Sequence, residues 1–201
     1  MGNNNTLISK FEKAGLVTVI TVWLLRAWLG PGMNYTALVG TTLLSVYYLW
    51  FGFFIFNKLK PLDLLRQETT RKLSRFSITA SIIMGVIISY TLIAILFGIF
   101  FFPGMQAVMV SAFTILVAFS LYIAVYQKLR KRRSEFCTRY FKRAALIGFF
   151  LLVLIAMPME KRLSIFFRDH PGFIEAYLEY RQNPGSEEAT DRLREERSRF
   201  R

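Results

Sequence analysis

Arg26 is the only charged side chain inside the apolar stretches of this sequence, and an ionisable group at membrane depth is a candidate for ligand or partner contact. It also stands about one turn before Gly30, close enough to snorkel outward as an anchor. The other residues that could do chemistry are sparse. His170 is the single histidine and Cys137 the single cysteine, so bis-histidine haem, a His-based metal site, a CxxC pair and an internal disulfide all fail on count. Neither GxxxxGK[ST] nor GxGxxG occurs, and serine catalysis within the apolar stretches would lack a base. No Asp, Glu or His interrupts the first four stretches, which disfavours a proton- or sodium-coupled carrier. We therefore expect no catalytic residue, no metal site and no cofactor.

Basic residues are plentiful instead. The net charge is +13, but Lys and Arg flank apolar stretches and form no separate hydrophilic domain, so membrane orientation explains them better than nucleic acid does. Arg130, Lys131, Arg132, Arg133, Lys142 and Arg143 are candidate contacts for anionic lipid headgroups, or serve only to hold topology.

The elements that must carry these groups are five apolar stretches, Ala14–Leu29, Thr36–Phe56, Phe76–Phe102, Met105–Tyr126 and Ala144–Met157. With 54% apolar residues in 201 and a positive mean hydropathy, the chain reads as all-α: a polytopic transmembrane bundle over residues 1–159 with a short helical tail over 160–201. The expected spans are about 11–30, 36–56, 76–102, 105–126 and 143–159. A span takes about 20 residues; the fifth is short, about 24 Å between Arg143 and Glu160 against about 30 Å of hydrocarbon, so it either crosses with local thinning or stays re-entrant.

Charge alternates between the gaps. Lys10 and Lys13, then Lys58 to Arg75, then Lys128 to Arg143 mark the inside; the uncharged turns Gly30–Tyr35 and Phe102–Met105 mark the outside. The N-terminus is therefore expected inside, most simply at a bacterial inner membrane, with the first stretch as a retained signal anchor. A crossing fifth stretch puts the tail outside, where its acidic and basic residues balance. Met1–Thr6 fits a myristoylation pattern and Asn34-Tyr35-Thr36 a glycosylation sequon; both are short matches. Pro31-Gly32-Met33 recurs as Pro103-Gly104-Met105, which implies two tandem hairpins or two independent turns that happen to share a Met.

Helices in lipid associate where small residues four apart allow backbones to approach. Ser77, Ser81, Gly85 and Ser89 form such a ridge on the third stretch, and Ala37, Thr41 and Ser45 on the second, facing either the bundle or another subunit. Tyr47, Tyr48 and Tyr90 lie deep enough to require hydroxyl partners.

The tail alternates helical runs with breaks at His170-Pro171-Gly172 and Asn183-Pro184-Gly185. Pro171 can open a helix whose apolar stripe is Phe173, Ile174, Tyr177 and Leu178, a candidate partner face; Ser186 can cap the last helix, with Glu188–Arg192 and Glu195–Arg199 as i,i+4 pairs. The function this inventory points to is noncatalytic: a membrane subunit, anchor or scaffold that binds other complex subunits or itself. A channel or carrier for a small uncharged solute is the alternative, and a lipid-binding or lipid-active protein the third.

Overall fold

The computed structural model describes residues 7–29, 34–57, 59, 74–130 and 135–199. Among them all regular structure is helical, in eight helices and no strand: α1 Leu7–Leu29, α2 Asn34–Asn57, α3 Arg75–Phe100, α4 Met105–Arg130, α5 Glu135–Ala156, α6 Met159–Phe166, α7 Pro171–Gln182 and α8 Glu187–Ser198. The hexapeptide Met1–Thr6, the turn Gly30–Met33 with the first copy of the paired Pro-Gly-Met, most of the basic gap after Asn57, and Lys131, Arg132 and Arg133 lie outside the described residues.

Among the described residues, three helices are long and apolar enough to cross a membrane: Tyr35–Asn57 in α2, α3, and Met105–Leu129 in α4. A fourth crossing results if α5 and α6 together make one broken span; as a re-entrant loop the pair would not cross. The first expected stretch is helical over 23 residues, yet α1 is not among the candidate spans; Glu12, Lys13 and Arg26 share its length and lower its hydropathy.

The chain divides into two compact units, Met1–Ile20 with Leu38–Ala156, and Thr21–Ala37 with Met157–Arg201. In the first, α3 is the most enclosed helix and packs against both α4 and α5, which also pack on each other. Its start is fixed by Ser74, whose side chain accepts from the Ser77 N–H at 3.1 Å. Its end is fixed by Phe101 at φ 52°, a left-handed cap whose N–H returns to the Phe97 carbonyl. Glycine normally takes such a position; here a phenylalanine with 1% exposure holds it, so burial of the ring offsets backbone strain of order 1 kcal/mol. Gly104, at φ +74°, completes the turn into α4.

Residues 135–143, read from the sequence as part of a basic loop, instead form the opening of α5. Cys137, Tyr140, Ala144, Ile147, Gly148, Leu151 and Leu154 are buried at helical spacing, so one apolar face continues well upstream of Ala144 while the basic residues occupy the rest of the circumference. Cys137 is accordingly a buried helical residue.

In the second unit, Pro171 stands at the first turn of α7 after His170, whose carbonyl accepts from Phe173 and Ile174. Ser186 caps α8 by accepting from Ala189 N–H at 3.2 Å. The pair expected between Glu188 and Arg192 gives way to a cross-helix one. Arg192 reaches Glu179 at 2.6 Å and Glu175 at 3.6 Å, because α8 lies along α7 and two carboxylates there face it. Glu195–Arg199 forms at 3.0 Å.

Candidate functional site

Within the first unit, the ridges of α2 and α3 meet. Ser45 donates to the Ser89 carbonyl at 3.1 Å and shares a 2.8 Å hydrogen bond with its hydroxyl. Two turns further along α2, Gly52 faces Gly85; a Cβ added to Gly85 would lie 2.6 Å from the Tyr48 carbonyl oxygen, so only glycine allows this approach. At the end of α2, the Asn57 amide donates to Ser81 at 2.8 Å and accepts from Ser77 at 2.8 Å. Thr41 and, in the other unit, Ala37 are also buried.

Beside this seam lies a cluster that hydropathy alone did not expose. Glu12 of α1 is fully buried. The Arg143 guanidinium forks onto it, Nε to Oε1 and Nη2 to Oε2 at 2.5 Å. Tyr48 donates to Oε1 at 2.6 Å. Arg143 also donates to the Arg139 carbonyl at 2.8 Å and lies over the Phe56 ring, 5.5 Å from its centroid. Arg139 in turn reaches the Phe56 carbonyl and Glu135. Both carboxylate oxygens are therefore engaged, and the arrangement is a clamp joining α1, α2 and α5. The sequence signal for Glu12 was weak because Lys10 and Lys13 surround it, which makes Phe11–Lys13 resemble an interfacial turn. Arg143 looked like a headgroup contact for the same reason; the structure turns it inward, while its neighbour Lys142 is exposed.

The remaining deep tyrosines find partners as their chemistry requires. Tyr47 donates to the Ile8 carbonyl at 2.8 Å, Tyr90 pairs with Ser111 at 2.8 Å, and Tyr140 with Ser120 at 3.1 Å. Two apolar grooves open on the surface of this unit. One, of about 450 Å³, runs between α4 and α5 from Phe113 and Leu152 to Ala124 and Phe141. The other, of about 370 Å³, lies between α1 and α2 around Gly15 and Gly40.

In the second unit Arg26 is fully buried, with its guanidinium 5.4 Å and 5.6 Å from the ring centroids of Phe166 and Phe167. Phe167 packs on Phe173 at 4.5 Å, and Phe173 on Tyr177 at 6.0 Å. Of the expected partner face, Phe173 is thus spent inside the unit, while Ile174, Tyr177 and Leu178 are half-buried. Burial raises the Tyr177 phenol above its ordinary value, against the pull of Arg197, Arg162 and Arg181.

No group of three or more His, Cys, Asp or Glu with metal-binding geometry occurs among the described residues. Arg130 closes α4. No protein-family model, curated protein or solved structure matches this chain.

Proposed function

We propose that this protein is a noncatalytic integral membrane subunit, an anchor or scaffold of a larger envelope complex. The supporting observation is where its polar side chains are spent. Ser45 with Ser89, Asn57 with Ser77 and Ser81, Tyr90 with Ser111, Ser120 with Tyr140, and Glu12 with Arg143 and Tyr48 all satisfy one another inside the chain. A carrier or channel needs polar groups turned toward a path; an enzyme needs a nucleophile and base turned toward a substrate. Here the same groups hold helices together, and binding follows from the surfaces that remain.

In the arrangement we favour, a five-span bundle has α1 as the first crossing, held by its Glu12 clamp, and α5 with α6 as the last. The basic gaps then face the cytoplasm of a bacterial inner membrane, and α7 and α8 lie on the opposite side, where the half-buried Ile174 and Leu178 can meet other subunits or a second copy. Purification from native membranes in mild detergent, followed by mass spectrometry, should recover a stoichiometric partner or oligomer that is lost when Ile174 and Leu178 are changed to Ser. A monomer without partner that passes an uncharged solute through liposomes would overturn this reading in favour of a carrier.

A further inference from the structure

We infer that the groove between α4 and α5 is a binding site for one acyl chain of an anionic phospholipid, whose headgroup is held by Lys128 and Lys142. This depends on α4 crossing the bilayer and is independent of the scaffold role. The groove's outer walls are Val117, Leu121 and Ala124 on α4 and Ala145, Phe149 and Leu152 on α5. Its volume, about 450 Å³, lies in the usual range for small-molecule sites, about 300–1,000 Å³. The lining extends along α4 from Phe113 to Ala124, a rise of about 17 Å against about 15 Å for the hydrocarbon of one leaflet. A groove of that length accommodates one chain and ends near the midplane.

What selects the occupant is the charge at the open end. Lys128 follows Ala124 by one turn, and Lys142 precedes Ala145 by three residues, so each continues the stripe that walls the groove on its own helix. Both lysines are exposed. The one acidic residue at this end of α5, Glu135, pairs with Arg139 at 2.7 Å. An apolar groove one leaflet deep, ending in two free ammonium groups, is complementary to a lipid with an anionic headgroup. Small residues, Ala144 and Gly148, line its floor, and because a Cβ on Gly148 would stand 2.9 Å from the Leu116 side chain, glycine there lets the two helices close the groove from behind.

The test uses the full chain in nanodiscs of equimolar phosphatidylglycerol and phosphatidylcholine, with native mass spectrometry to count the lipid that survives release into detergent. The wild type should retain phosphatidylglycerol selectively. Lys128→Gln and Lys142→Gln should each weaken retention roughly fivefold, and together roughly thirtyfold. Both are surface changes that leave folding intact, and Ala145→Trp, which fills the groove, should abolish retention of either lipid. Equal retention of the two lipids, unchanged retention in the double lysine variant, or a cross-link through Phe149 to a second copy seated in the groove would each overturn the assignment.

Discussion

Helices α3 and α4 are about equally apolar, yet 67% of the most apolar stretch is buried in α3 and 22% in α4. Apolarity says that both belong in a bilayer and nothing about which one is enclosed by protein. The distinction lies in the small and polar residues. On α3, Ser77, Ser81, Gly85 and Ser89 recur every fourth residue on a face that α2 covers. On α4, Val110, Val117, Leu121 and Val125 stay exposed, and the helix borders the apolar groove. The same contrast separates adjacent residues on α5, where Arg143 turns in to Glu12 and Lys142 faces out.

Breaking the enclosed side should cost far more than altering the exposed one. The largest effect is expected for Glu12→Gln, which leaves the Arg143 charge buried without its carboxylate and should destabilise the protein by about 3–5 kcal/mol. Thermal unfolding in detergent should show it, and the double variant with Arg143→Gln should recover part of the loss in a double-mutant cycle. Next comes Gly85→Ala. Its Cβ would fall 2.6 Å from a backbone oxygen of α2, so the helices must separate, at about 1–3 kcal/mol. Ser45→Ala removes both interhelical hydrogen bonds to Ser89 and should cost about 1 kcal/mol. On the exposed face, Leu121→Ala should stay within about 0.5 kcal/mol of wild type in the same assay.

How much of this was legible in the sequence follows from the kind of signal each feature carries. Helical class and the small-residue ridges on α2 and α3 were readable, since a period of four is local and survives without tertiary information; that the two ridges face each other was not. The tail's breaks and caps were readable for the same reason, through Pro171 and Ser186. The buried Glu12 clamp was not, because its partners lie at Tyr48 and Arg143, far along the chain, and a glutamate between two lysines carries no mark of burial. The start of α5 was missed because hydropathy averages over a whole turn, and the basic residues concealed the apolar line through Cys137 and Tyr140. Arg192 shows a further limit: its i,i+4 partner was available, but carboxylates on a neighbouring helix proved closer.

The contrast between an enclosed α3 and an exposed α4 can be measured directly by oxygen accessibility of spin labels in lipid bilayers. Single cysteines would be placed, in a Cys137→Ser background, at Met84, Ile88 and Leu92 on α3 and at Val110, Leu121 and Val125 on α4. High accessibility at all three α4 sites with low values at all three α3 sites is the predicted result. Equal oxygen accessibility on the two helices would contradict the account.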